Sequence, residues 1–590
     1  MIEARFDDLT GGSPSFRLVE PVGVLEARRP EEVVPTIAAA EGAASRGLWV
    51  AGFVAYEAAP AFDPALVVRA RPAADPFVSL PLAWFAMFEG RAETSLPVPL
   101  NETPIEPSDA WRPSITRDRY DEALERIHER ITAGDTYQVN FTFRLHSSVA
   151  GDDRGLYRDL CFAQRGAHSG YLNTGRYRIL SASPELFFRI DGTRLTTRPM
   201  KGTAPRGRFR EEDEAIRAAL TGSVKDRAEN AMIVDLLRND LGRISRTGSV
   251  AWTKIFKPER YETVWQLTST VSSELEGDRG LVDVFGALFP CGSVTGAPKV
   301  RTMEIIAELE DSPRGAYCGA VGYLAPAGSQ GPSAVFNVPI RTVSVDGETH
   351  VAEYGVGGGI TFDSRAASEY DEAVAKSRAL TSHRPSFELL ETLRRDPAEP
   401  IRRLEEHVAR LRDSAAYFGF AFDEIAVRAA LDGAGSDAER SVRIRLRLAR
   451  AGTLHVTVTA MDGRVLDPMR LAIDGIPVDS TDVYLFHKTT LRQRYDEARA
   501  RHPDADDVLL VNTRGEVTEA SSSNVAAKLD GRWWTPPLES GLLPGTEREA
   551  LLRDGTLDER TLTRVDVERA DGLALINSVR GWRPAELVVA

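Results

Sequence analysis

A chain of 590 residues is too long for one hydrophobic core, which rarely grows past about 250–300 residues, so more than one domain is expected. The apolar fraction of 42% and the charged fraction of 27% are those of an ordinary globular protein. A net charge of −14 argues against a nucleic-acid backbone as the main partner, and no run of about 18 apolar residues offers a membrane span.

In chain order, residues 65–115 are rich in proline and alanine and read as strands and loops. A helical pattern runs from Tyr120 to Ile131, with Leu124, Ile127 and Ile131 on one face and Gly134 as its stop. Strand-like stretches follow at 177–183 and 185–190, then a helix over 227–244. The clearest seam is the short polar stretch Thr381–Ser386, which contains a proline and reads as a linker. Beyond it, a helix is expected over 402–420 and alternating strands over 440–450 and 453–461. The expected domains are 1–382 and 387–590, both α+β, the first large enough for a layered sandwich. The three cysteines, Cys161, Cys291 and Cys318, form no CxxC pair, which suggests a reducing compartment. With an acidic N-terminus that lacks an apolar signal core, the expected location is cytoplasmic.

Two features of the first half suggest an anion and metal site. The Gly-rich stretches Cys291–Lys299 and Gly355–Gly359 let backbone N–H groups approach a carboxylate or phosphate, although glycines more often serve turns. Asp226 and Glu229, and likewise Glu369 and Glu372, are three apart in expected helices, so each pair shares a face. Two facing pairs would make an oxygen-rich site for Mg²⁺, whereas by spacing alone they are ordinary surface acids, Glu372 pairing with Lys376.

The ordered set GDTYQVNFT (134–142), SASPELFF (181–188), RPMKGTAPRG (198–207), KDRAENAMIVDLLRNDLGR (225–243), FPCGSVTGAPKVRTMEII (289–306) and YGVGGGITFDSRAASEYDEAVAKSRAL (354–380) resembles the chorismate-utilising enzymes. These are anthranilate synthase, isochorismate and salicylate synthases, and aminodeoxychorismate synthase component I. The resemblance covers roughly residues 50–380 and implies a chorismate-binding layered α/β sandwich with a central cleft. It implies Glu229 and Glu372 as Mg²⁺ ligands, with Asp226 and Glu369 behind them or holding waters. Arg341, Lys376 and backbone N–H groups around Gly292–Ser293 and Gly357–Gly358 would hold substrate carboxylates, and Tyr323 and Thr295 would line the pocket. Lys201 marks aminodeoxychorismate synthase, since anthranilate synthases carry alanine there. Its amine would attack C2 of chorismate while Glu185 protonates the departing C4 hydroxyl, and ammonia would then displace the lysine. Gln138 stands where isochorismate-type enzymes carry a lysine base, and Gln266 where a histidine is common. No cysteine sits on a glutaminase-like elbow, so a separate glutamine amidotransferase subunit is expected to supply ammonia.

The second half, with FELLETLR (387–394), HVARLRDSAAYFG (407–419), HKTTLRQRYDEAR (487–499), VNTRGEVTEASSSNVAAK (511–528) and TPPLESGLLPGTER (535–548), resembles the class IV pyridoxal-phosphate fold. That fold includes aminodeoxychorismate lyase and several aminotransferases. The chemistry needs a lysine to bind pyridoxal 5′-phosphate covalently, an acid to keep the pyridine nitrogen protonated, and cations with hydroxyls for the phosphate. Lys488, Glu519, and Arg410 with Ser522, Ser523 and Thr546 fit these roles. Gln493 replaces the tyrosine of branched-chain aminotransferases, which favours the lyase, and Leu491 replaces an asparagine usual in lyases. The half starts about 25 residues later than the resembling fold. The leading reading is a two-enzyme fusion making 4-aminobenzoate. The alternatives are a C-terminal aminotransferase or a catalytically silent docking module. The oligomeric state is left open, a homodimer through the second half being one arrangement.

Overall fold

Thr116 shows how local sequence sets an element: its hydroxyl accepts from the Arg119 N–H at 3.4 Å and starts the helix Arg117–Thr132. That helix buries Tyr120, Ala123, Leu124 and Ile127, one apolar stripe at helical spacing. The structure, a computed structural model, describes residues 2–95, 110–381, 385–461 and 468–588. Of the expected linker at 381–386, residues 382–384 lie outside the described residues. By contacts the chain divides into two units, one comprising Met1–Arg206 with Ile216–Arg384 and the other Gly207–Ala215 with Pro385–Ala590.

The first unit is built on antiparallel strands. A long ladder pairs Gln138–Ser148 with Val351–Ile360, in a register that sets Gly358 opposite Phe141 and Gly359 opposite Asn140. The strand Met200–Pro205 pairs with Val264–Glu274, and a register shift between Met200 and Thr203 lies at Lys201. One apolar core gathers Phe187, Phe188, Phe285 and Phe336 under the helices Pro30–Ser45 and Val224–Gly242. A second gathers Tyr120, Phe141, Phe143 and Tyr354 under Arg117–Thr132 and Ala366–Thr381. These cores fix the two carboxylate-bearing helices, Val224–Gly242 and Ala366–Thr381, against the strands.

In the second unit the helix Leu404–Phe418 packs on a three-stranded antiparallel sheet of Leu389–Arg395, Val442–Leu448 and Leu454–Ala460. A mixed sheet follows, in which Met469–Ile473 runs parallel to both Asp507–Val511 and Gly581–Leu587. The expected strands at 440–450 and 453–461 are therefore present as a hairpin. Among the described residues, no helix is long and apolar enough to cross a membrane.

Candidate active sites

The first unit holds a cleft of about 200 Å³ whose wall includes Glu185, Lys201, Asp226, Glu229, Ser293, Arg341, Gly357, Gly358, Glu369, Glu372 and Lys376. Residues scattered over nearly two hundred positions thus meet in one place. Gly202 makes part of this possible: it has φ +90°, and a Cβ there would stand 2.9 Å from that of Asp226, so the lysine strand runs close against the helix. Asn230 donates to the carbonyls of Lys201 and Leu267 at 3.3 and 3.1 Å, tying strand to helix. On the opposite wall a Cβ at Gly359 would meet Gln138 Nε2 at 2.0 Å and the Lys201 amine at 2.9 Å, so the side chains of Gln138 and Lys201 occupy the space over this glycine.

The electrostatics suit acid and nucleophile. Burial pushes the Glu185 carboxyl up to about 7, against hydrogen bonding from Ser293 and the charge of Lys201. Burial lowers the Lys201 amine from the ordinary lysine value, opposed by Glu229 and Glu185 and assisted by Lys376. Burial also raises Glu229, with Asp226 and Glu369 adding to the effect. Lys376 holds Glu372 below the usual carboxylate value. The Lys376 amine lies 2.9 Å from Glu372 and donates to the Gly357 carbonyl at 2.8 Å, and Arg341 donates to the Lys376 carbonyl at 2.9 Å. Behind the wall a buried Arg314 donates to the carbonyls of Val294 and Asn140 at 2.6 and 2.7 Å and pairs with Glu310 at 2.6 Å, fixing both cleft segments.

Three expected pocket residues lie off the wall. Tyr323 points instead into an aromatic cluster with Phe6, Phe16 and Trp49, at ring distances of 4.9, 5.1 and 6.2 Å, and Tyr317 lines the cleft in its stead. The Thr295 hydroxyl turns back to the carbonyls of Cys291 and Gly292 at 3.2 and 3.4 Å, closing a turn. Gly292 faces Leu236, which a Cβ would meet at 2.3 Å. Gln266 does line the cleft, its amide donating to Thr203 at 3.2 Å. Among the described residues no three metal-ligating side chains converge as a ready-made centre. The four carboxylates on one cleft still suit Mg²⁺, which commonly takes one or two protein carboxylates and completes its shell with water and substrate.

The second unit holds a larger cleft, about 650 Å³, with Lys488, Glu519, Arg410, Ser522, Ser523 and Thr546 all on its wall. Burial, reinforced by Arg410, lowers the Lys488 amine to about 8. Burial raises Glu519 to about 7, although Tyr495 donates to it at 2.8 Å and the Leu543 N–H at 3.2 Å. Arg410 is more constrained than a free phosphate ligand would be. Its guanidinium clasps Glu391 at 2.9 and 2.6 Å and donates to the Pro544 carbonyl at 3.0 Å, which leaves part of its fork for an anion. Thr546 begins the helix Thr546–Arg553, so the N-terminus of that helix lines the same cleft. Ser522 donates to Asp507 at 2.6 Å, while Ser523 accepts from Asn577 and Arg583 at 2.9 and 3.0 Å. A buried amine, a buried acid and a cationic helix end in one cavity fit pyridoxal phosphate. The sequence reading missed Arg443 and Arg445, which stand two apart on one face of Val442–Leu448 and line the cleft. Their alternation with buried Val442, Ile444 and Leu446 was the available signal.

Residues 17–382 match the family model for chorismate binding enzymes. The chain belongs to that family. Residues 388–588 match amino-transferase class IV, so the chain fuses the two. Aminodeoxychorismate synthase component 1 of Escherichia coli (strain K12) is 41% identical over 267 residues, 45% of this chain and 57% of that protein. Anthranilate synthase component 1 of Aquifex aeolicus (strain VF5) is 38% identical over 271 residues, 46% of this chain and 53% of that protein. The chain thus spans less than two thirds of the length of these curated relatives. The crystal structure of anthranilate synthase component I from Streptococcus pneumoniae TIGR4 superposes with a TM-score of 0.54 at 25% identity, covering 63% of this chain and 93% of that one.

Proposed function

We propose that the chain makes 4-aminobenzoate from chorismate and ammonia, its first unit aminating C4 and its second expelling pyruvate. Relatives named for two different chorismate reactions are nearly equally similar, so the choice rests on the residues. Lys201 carries it: a buried amine on the wall of the cleft, beside a buried acid whose carboxyl stays protonated up to about 7. Its amine attacks C2 as Glu185 gives its proton to the C4 hydroxyl, which leaves as water. Ammonia then bonds to C4 and the C2–N bond to Lys201 breaks. Arg341 and Lys376, with N–H groups around Ser293 and Gly357–Gly358, orient the substrate carboxylates. Bound Mg²⁺, held by Glu229 and Glu372 with Asp226 and Glu369 beside them, would supply positive charge for a substrate carboxylate.

In the second unit bound pyridoxal phosphate would supply an electron sink. Lys488 would move the C4 proton, Glu519 would keep the ring nitrogen protonated, and Arg410 and Thr546 would hold the phosphate. The C3–O bond then breaks, pyruvate leaves, and the ring becomes aromatic. Arg443 and Arg445 supply charge for the substrate's carboxylates. Ammonia comes from a separate glutaminase on this reading, because burial pushes the thiols of Cys161 and Cys291 up to about 12 and that of Cys318 to about 11, unsuited to nucleophilic work near neutral pH.

The test is one incubation of the full chain with chorismate, Mg²⁺, pyridoxal phosphate and ammonium. The expected products are 4-aminobenzoate and pyruvate, with Lys488→Ala accumulating aminodeoxychorismate. Anthranilate as product would overturn the reading of Lys201, and an amino product that never aromatises would overturn that of the second unit.

A further inference from the structure

Residues Gly207–Ala215 lie inside the stretch that matches the chorismate-binding family, yet by contacts they are part of the second unit. The segment is a self-braced turn at 207–209 that leads into the helix Arg210–Gly222. The Gly207 N–H donates to Asp213 at 2.9 Å and the Arg208 N–H to Glu212 at 2.6 Å, while the Arg208 side chain returns to Glu212 at 3.0 Å. Only glycine fits at 207, since a Cβ would stand 2.2 Å from the Asp213 nitrogen. The turn is also anchored on its own unit. Tyr417 donates to the Gly207 carbonyl at 2.7 Å, the Phe209 ring lies 5.3 Å from that of Phe486, and Arg210 pairs with Asp413 at 2.5 Å.

Its central contact reaches the residue before Lys488. His487 Nε2 lies 3.2 Å from the Arg208 carbonyl, and Nδ1 lies 2.9 Å from the Ser414 hydroxyl. A carbonyl can only accept, so Nε2 carries the proton and Nδ1 accepts from Ser414. The imidazole is thereby held at both nitrogens and packed against the rings of Tyr417 and Phe418 at 4.5 and 4.7 Å. It is buried, and it precedes Lys488 in the wall of the cleft.

We propose that Gly207–Ala215 is a positioning element of the pyridoxal-phosphate unit, holding Lys488 in its buried setting by fixing the ring of His487. The inference rests on reading the second cleft as a pyridoxal-phosphate site. The segment follows directly on the strand Met200–Pro205 that carries Lys201, so the same stretch of backbone serves a residue of each proposed reaction. Arg410, Glu391, Arg492 and Glu519 are the charged groups that act most strongly on Lys488, His407 lies near it, and Arg443, Arg445, Arg580 and Arg583 line the same cleft; none of them is altered by the changes below.

The test uses the full chain. The reactivity of Lys488 toward an acylating reagent, without pyridoxal phosphate, is read by peptide mass spectrometry across pH. Wild type should titrate near 8. Phe209→Ala and His487→Ala should move the midpoint up by about one pH unit as water reaches the amine, and lower kcat of pyruvate release about tenfold with KM little changed. His487→Gln, whose amide can donate to Arg208 and accept from Ser414, should restore both. Profiles of Phe209→Ala and His487→Ala that superimpose on wild type would overturn the proposal. Should Phe209→Ala fail to fold, Tyr417→Phe removes a single hydrogen bond, and an unshifted Lys488 profile in it, together with one in His487→Ala, would have the same force. Borohydride reduction of the loaded wild type separates the two readings: if Lys488 does not carry the cofactor, the cofactor reading fails, while the titration still judges the segment.

Discussion

Gly359→Ala should inactivate the first reaction while sparing the fold. The glycine has no left-handed backbone requirement, and it sits within the long ladder opposite Asn140. Its added Cβ would stand 2.0 Å from Gln138 Nε2 and 2.9 Å from the Lys201 amine, against an ordinary contact of 3.4 Å or more. The Gln138 amide must therefore retreat by about 1.4 Å and the amine by about 0.5 Å. Both are ends of flexible side chains, so the cost to stability should be about 1–3 kcal/mol. A nucleophile displaced on this scale loses its line of attack, and a misplacement of about 1 Å can cost 10²-fold in rate. Gly358→Ala is the internal control. Its Cβ would meet Lys376 Nζ at 3.5 Å and Glu369 Oε2 at 3.6 Å, which is ordinary contact, so kcat should fall only a few-fold. The assay is chorismate amination with saturating ammonium, read by chromatography of the amino product in a Lys488→Ala background. A Gly359→Ala protein that keeps kcat within about threefold of wild type would refute the placement of Lys201 as the attacking group.

The first reaction should slow as pH rises through about 7, because Glu185 must be protonated to serve as acid and its carboxyl is raised to that value by burial. At constant free ammonia, Glu185→Gln should abolish that limb and lower kcat about 10²–10⁴-fold, and an unchanged pH profile would exclude Glu185 as the acid. Tyr495→Phe removes the 2.8 Å donor to Glu519, which should push that carboxyl up further and cut pyruvate release about 5–100-fold, with little change in the ammonia-dependent step. Arg314→Met leaves the buried Glu310 with Arg144 at 3.4 Å as its counter-charge, besides hydrogen bonds from Thr142 at 2.9 and 2.7 Å, and should cost up to about 3 kcal/mol in a urea titration, and a smaller loss after the additional change Glu310→Leu would show that the under-compensated charge is the cause.

What the sequence disclosed depended on the range of the interaction. The stripe of Leu124, Ile127 and Ile131 announced its helix because an amphipathic period is local. The carboxylate pairs were legible for the same reason, since i and i+3 share a helix face whatever that helix packs against. Tyr323 was misjudged because strand residues alternate between faces, and the sequence does not say which face meets the cleft. Its ring went to Phe6, Phe16 and Trp49, residues far away in sequence. Arg410 was assigned to a phosphate without its clasp on Glu391, a contact that exists only once the helix Leu404–Phe418 lies on the strand Leu389–Arg395. The membership of Gly207–Ala215 in the second unit was beyond any local pattern, because the family match over residues 17–382 is continuous in sequence and is divided by tertiary contacts alone.

The directions of shift at Glu185 and Lys201 are best understood together. An acid and an amine that share a buried cleft can hold their proton in two ways, as carboxylate with ammonium or as carboxylic acid with free amine. Both arrangements carry the same total number of protons, so no change of pH distinguishes them, and the pair titrates as a unit. Water favours the charged arrangement. Burial penalises each charge separately, and here it is the largest cause of the shift at both groups, raising the acid and lowering the amine. The mutual attraction of the charges works the other way, as does Glu229 on the amine. Burial thus moves both groups toward the neutral pair, the arrangement the proposed reaction needs: a free amine to bond C2 and a proton ready for the hydroxyl at C4. The nucleophile and the acid are then two consequences of excluding water from one cleft. Opening the cleft to solvent would move the pair back toward its charged form and weaken both proposed roles at once.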